Sequence, residues 1–187
     1  MLKIYLMLLL LISLPCQANP SSILKDSELR AIYLADQADR QPEVLQRERE
    51  KVIQRDRARL QQVTKLLQAG RIKRAQDYWY AAIIFQHGHT SEEYRIAYSL
   101  AQLASVLSPD STTAQWLKAA TWDRLMLSMN QPQWYGTQYD ISPQGHWSLS
   151  PIKLEMVTDE ERLRAGIVLE KVRADLDARN KKILQPQ

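Results

Sequence analysis

Four predicted helices each carry a polar residue in the middle of an apolar stripe, and that placement selects the residues able to do chemistry. At about 100° per residue, Asp36 and Arg40 share the face of Leu29, Ile32 and Tyr33, and Asp56 shares that of Val52, Leu60, Val63 and Leu67. Gln86 falls among Ala75, Trp79 and Ala82, and Asp123 among Trp116, Ala120 and Leu127. Unpaired charge taken out of water costs several kcal/mol or shifts its own pKa. These side chains are therefore expected to meet one another, a ligand or an ion inside the fold.

His87 is the acid–base candidate. It ends a helix, where unpaired carbonyls and the macrodipole favour a protonated imidazole, and Gln86 and His89 stand beside it. The blander account is a histidine that only caps that helix. Asp123 also has two accounts: a buried ion pair with Arg40 or Arg124 that locks helices together, or a carboxylate that orients His87 or helps hold a cation. Asp36 and Arg40, four apart, could simply pair with each other. Asp36, Asp56, His87, His89 and Asp123 are oxygen and nitrogen ligands of the kind that suit Mg, Mn or Zn. The chain has no His-Glu-x-x-His helix, so no metal site is assigned. It also has no Gly-x-Ser-x-Gly elbow and only five glycines in all, which sets aside a glycine-rich nucleotide loop.

The elements that must position these groups are mostly helical. Asp26 or Ser27 is expected to cap a first helix to about Arg40, and Pro42 to end it or open the next. A long second helix is expected over 43–69, stopped by Gly70, and a third over 74–87 that is apolar on every side and so buried. Thr90 with Glu93 forms a capping box for a fourth helix to Leu107, and Thr112 with Gln115 opens a fifth to about Met129. Alternation of Tyr135, Thr137, Tyr139 and Ile141 predicts a small β-hairpin from the runs 134–140 and 146–149, with an irregular loop as the alternative. Thr158 with Glu161 starts a short helix that Gly166 is expected to interrupt, and 169–184 reads as a terminal surface helix or tail.

Residues 1–18 combine Lys3, the apolar run 4–14 and a small-residue exit at Ala18, the layout of a secretory signal rather than of an anchor. The alternative is a lipoprotein beginning at Cys16, against which Pro15 stands where such signals carry a small residue. Removing 1–18 takes away the only cysteine and lowers the net charge from +4 to +3. Stability then rests on an apolar core, without disulfides. The basic residues between Arg47 and Arg74 are interrupted by Glu48, Glu50 and Asp56, so a solvated mixed-charge helix is expected rather than a nucleic-acid surface.

Asp36-Gln37 with Arg40, Gln86-His87, Asp123-Arg124, Gln133-x-Tyr135-Gly136-Thr137-Gln138, Pro151 and Arg162 together resemble the signature of an uncharacterised bacterial domain family, a domain of unknown function. The resemblance spans about 29–169. Gln86-His87 and Tyr135-Gly136-Thr137-Gln138 are its most specific parts. Relatives place Ala-Asp after the Gln-His pair, where this chain has Gly88-His89, so a role for that acid does not carry over. The resemblance implies no established activity.

The sequence thus predicts one exported, mainly α domain over 19–187, of about five to seven helices, with a small hairpin near 134–149. His87 and Asp123 are the expected catalytic pair. Arg40, Gln86, Arg124, Tyr135, Thr137 and Gln138 are the expected ligand-binding groups, with Asp36, Gln37, Asp56 and Arg162 as a structural polar core. The segment 135–138 is expected to close over His87, because Gly136 permits a tight path and its neighbours supply a phenol, a hydroxyl and an amide. The function expected is binding of a small polar ligand, with hydrolysis as its catalytic form. The rival is a helical interaction or scaffold protein whose polar core only sets helix register. Substrate, cofactor and partner are not named by the residues.

Overall fold

Burial of successive apolar helix faces builds a mainly α architecture around one central helix. The structure is a computed structural model that describes residues 21–183, with side chains described from residue 28. The signal expected at 1–18 and its Cys16 lie outside the described residues. Among the described residues no helix is long and apolar enough to cross a membrane.

Helix α1 spans Ser21–Asp39 and is already under way before Asp26 and Ser27, the caps expected from the sequence. Pro42 opens α2 (Pro42–Gln68), a position where its missing N–H leaves no broken bond. Gly70 follows α2 and returns its N–H to Leu67 O at 2.9 Å. Helix α3 (Ala75–Gln86) is the central one, packed by α1, α2, α4 (Ser91–Leu107) and α5 (Thr112–Ser128). Its buried Ala81, Ala82, Ile83, Ile84 and Phe85 join Leu29, Ile32, Leu60, Val63, Leu100 and Leu117 in the main core. Full burial of a side chain such as Ile84 or Leu117 contributes about 1.5–3 kcal/mol.

Of the three Thr-led caps read from the sequence, two are formed as expected. Glu93 N–H donates to Thr90 Oγ1 at 3.2 Å and Thr90 N–H donates to Glu93 Oε2 at 2.9 Å, the reciprocal box that starts α4. Thr158 and Glu161 do the same for α6 (Asp159–Arg164). Helix α5 differs: Ser111, not Thr112, is its cap, accepting from Ala114 N–H at 3.3 Å, while the Gln115 amide donates to Pro109 O.

After α5 the chain forms an irregular loop, a two-stranded antiparallel sheet of β1 (Tyr139–Ile141) and β2 (Trp147–Leu149), a 3-10 turn at Leu154–Met156, then α6 and α7 (Leu169–Ile183). The register pairs Tyr139 with Leu149 and Ile141 with Trp147. Asn180 of α7 brackets β2, its Oδ1 accepting from Trp147 N–H and its Nδ2 donating to Trp147 O, both at 2.8 Å. The fold is therefore mainly α with a small hairpin, as the sequence predicts, but the strands are shorter. Residues 134–138 leave the strand pattern because the amides of 134–137 turn inward to a buried carboxylate and that of Gln138 to the Gln133 side chain.

Candidate functional site

Two polar centres lie in this fold, and they are separate. In the first, spacings of three and four residues place Asp36 and Asp39 on one face of α1, with Arg40 directly after its end, and Arg55, Asp56 and Arg59 on one face of α2. The two faces meet. Arg40 Nη2 donates to Asp36 Oδ1 at 2.9 Å and also reaches Asp56 Oδ1. Arg59 Nη1 donates to Asp56 Oδ1 at 2.8 Å, and its Nη2 reaches Asp39 and the Ala35 carbonyl. Arg55 grips both Asp39 oxygens at 2.8 Å and extends to Glu48 at 3.1 Å. Asp36, 1% exposed, also accepts from the Gln37 amide at 2.9 Å.

The C-terminal end of α3 brings His87 into this network. His87 Nδ1 lies 3.0 Å from Asp36 Oδ1. Burial pushes the Asp36 carboxyl upward, but the hydrogen bonds and charges of His87 and Arg40 outweigh it and hold Asp36 below the usual carboxylate range. An ionised carboxylate only accepts, so Nδ1 is the nitrogen that carries the proton. Nε2 is then the free position of the ring, with no hydrogen-bond partner among the described residues. The His87 side chain is 16% exposed and that of Arg40 25%. Burial disfavours the Arg40 cation, yet its hydrogen bonds to Asp56 and Asp36 raise it overall.

Arg124 approaches the same end from α5, donating from Nη1 to the Gln86 carbonyl at 3.3 Å. Tyr94, whose hydroxyl donates to Gly88 O at 2.9 Å, lies beside it. Burial lowers the Arg124 cation from its ordinary range; Tyr94 opposes the shift and the like charge of Arg40 adds to it. The Gln86 side chain is buried, and its backbone carbonyl is what meets Arg124.

Asp123 forms the second centre and corrects the expectation drawn from the sequence. It pairs with neither Arg40 nor Arg124 and does not touch His87. Adjacent residues on a helix point about 100° apart, which sends Arg124 toward α3 and Asp123 toward the loop. There Oδ1 accepts from Trp134 N–H at 2.8 Å and Tyr135 N–H at 2.9 Å. Oδ2 accepts from Gly136 N–H at 2.9 Å, Thr137 N–H at 3.0 Å and Thr137 Oγ1–H at 2.8 Å. Successive amides converging on one carboxylate make a nest filled by the protein's own anion. Gly136, at φ +93°, supplies the left-handed turn this needs, and a Cβ there would stand 2.6 Å from Leu169 Cδ2.

The rest of the loop is consumed in the same way. Gln133, fully buried, donates from Nε2 to Gln138 O and Ser150 O at 2.9 Å and accepts Gln138 N–H at 2.9 Å. Gln138 Nε2 donates to Thr137 Oγ1 at 3.1 Å and Ala120 O at 3.3 Å. Arg162 donates to the Trp134 and Leu154 carbonyls at 2.9 and 2.8 Å. Tyr135 packs, with Leu169 and Val172, against the small core of Ala119, Ala165 and Ile167. The expected closure of 135–138 over His87 is thus not what the loop does: Tyr135, Thr137 and Gln138 serve the Asp123 nest.

Asp39, Arg55 and Arg59 escaped the sequence reading, and Gln133 entered it only as part of the signature, without a role. A signal existed for Arg59, which stands seven residues after Val52 and four before Val63 on the buried face of α2. No group of three or more His, Cys, Asp or Glu side chains suited to a metal occurs among the described residues. Comparison with family models, with curated proteins and with solved structures gives no match to this chain.

Proposed function

We propose that the chain binds a small polar ligand at the His87 end of α3, with His87 as general acid or base, Asp36 as the group that positions it, and Arg40, Arg124 and the Gln86 carbonyl framing the ligand. One observation carries this reading: His87 is held through Nδ1 by Asp36 at 3.0 Å while Nε2 stays free of protein partners among the described residues. A carboxylate behind one ring nitrogen sets the tautomer and orientation of the other, the arrangement that proton transfer to or from a bound molecule requires. Asp123, expected from the sequence to share the chemistry, has no part in it.

The test is to titrate small esters, amides and organic acids into the protein while following the His87 ring nitrogens by NMR, and to assay hydrolysis alongside. Saturable movement of the Nε2 signal is expected. If a substrate turns over, His87→Gln should slow it by about a hundredfold or more. A ring that answers no compound removes the proposal. In that case the scaffold reading takes over, supported by the Asp123 nest, whose donors and acceptors are all spent on holding the loop.

Export belongs to the same proposal. Residues 1–18 act as a cleaved signal and the mature protein is periplasmic or secreted, with lipidation at Cys16 as the alternative. Intact mass of protein recovered from the envelope fraction separates a start after Ala18, a lipidated Cys16 and an uncleaved Met1. Kinship with the bacterial domain family is proposed on the shared Gln86-His87 and 135–138 residues alone.

A further inference from the structure

Arg124 carries a charge that its surroundings leave uncompensated. Arg40 meets Asp36 and Asp56, Arg55 meets Asp39 and Glu48, Arg59 meets Asp39 and Asp56, and Arg162 meets Asp159. Arg124 has no such carboxylate among the described residues. Its Nη1 goes to a neutral carbonyl, and its Nε is enclosed without any hydrogen-bond partner. A buried donor left unsatisfied in a native fold calls for a reason, and an ion it can bind is one. Beside it stand the Tyr94 hydroxyl, a neutral hydrogen-bonding group that supports the cation, and Arg40, a charge of the same sign that opposes it.

Resting on the ligand-site reading above, we infer that the ligand presents an oxyanion, a phosphate or carboxylate group, and that Arg124 is its counter-ion, with Arg40 and His87 at its flank. The planar guanidinium matches two oxygens at once, a match that an ammonium lacks. In its present pose Nε makes no bond, and turning the fork toward an entering oxyanion satisfies it. The flanking groups reach solvent: His87 and Arg40 keep 16% and 25% of their side-chain surface, and Arg124 is only partly covered. Asp36 and Asp56 are already taken up by Arg40, Arg59 and His87, so they do not compete for Arg124.

The experiment is thermal unfolding of the purified protein at constant ionic strength, replacing chloride with inorganic phosphate in one arm and acetate in the other. A saturable rise is expected in at least one arm, about 5–10 °C at a hundredfold excess over the dissociation constant, and the arm that responds identifies the anion. Arg124→Gln should abolish the rise and melt no lower than the parent without added anion, because the amide removes the uncompensated charge. Arg95→Gln, an exposed residue paired with Glu92, should keep the rise. Should Arg124→Gln fail to fold, the parent protein still decides: the Arg124 Nε–H and His87 ring signals must move with one half-saturation. A rise that survives Arg124→Gln, or one lost equally in Arg95→Gln, overturns the inference. If His87 answers neutral polar compounds but neither anion, the ligand site stands and its anionic character falls; if His87 answers nothing, both fall.

Discussion

Asp36 and Asp123 are both buried carboxylates on apolar helix faces, yet they are satisfied by opposite means. Asp123 is met by backbone amides and one hydroxyl of a single loop, groups that do not titrate and cannot leave without unfolding that loop. Asp36 is met by the side chains of Arg40, Gln37 and His87, drawn from two helices, and one of those partners keeps a free ring nitrogen. A carboxylate bound by backbone builds structure. One bound by a partly exposed histidine leaves a proton position open for chemistry, so similar burial does not mean a similar role.

The sharpest way to break this contrast is to remove each anchor and compare the costs. Asp123→Ala should be the most damaging change. It strands buried N–H groups of Trp134, Tyr135, Gly136 and Thr137, each worth about 1–3 kcal/mol. We expect a loss of about 4 kcal/mol or more and a melting temperature lower by roughly 10 °C. A denaturation midpoint unchanged from the parent would mean that the nest is dispensable. Gly136→Ala attacks the same nest through the backbone and should cost about 2–3 kcal/mol by chemical denaturation, from φ +93° and the 2.6 Å approach to Leu169. Parent-like stability there would show that the loop relaxes freely.

Smaller effects belong to the first centre. Asp36 and Asp39 are held below the ordinary carboxylate range, each against the upward push of burial: Asp36 by His87 and Arg40, Asp39 by Arg55 and Arg59. The unfolded chain therefore takes up protons first as pH falls. The stability these pairs contribute is full above about pH 4, near the unfolded value, and is lost as pH drops through the lower folded values. Asp36→Asn should flatten the decline in stability measured between about pH 6 and pH 3. An identical decline would show that Asp36 contributes no proton linkage. Smallest of all, His87→Gln should change stability by less than about 1 kcal/mol, because Asp36 keeps Arg40 and Gln37. A much larger loss in urea titration would make His87 a structural cap and blur the contrast.

Much of this was legible in the chain. Helix periodicity alone identified Asp36, Asp56, Gln86 and Asp123 as inward-facing, and all are buried. Pro42, Gly70 and the Thr90–Glu93 and Thr158–Glu161 boxes marked helix ends through local backbone chemistry, which depends on neighbours only a few residues away. Tertiary structure alone decided which buried group met which. The direction of Asp123 toward the 134–137 amides, rather than toward Arg40, follows from how α5 packs against α4 and, less extensively, α3, and from where the chain re-enters after Gln131 and Pro132. The bond from His87 to Asp36 joins residues 51 apart, and no spacing rule reaches that far. Periodicity reports that a side chain must be satisfied inside, because burial cost is set by its own helix face; its partner depends on the crossing of helices distant in sequence, and that geometry exists only once the core has packed.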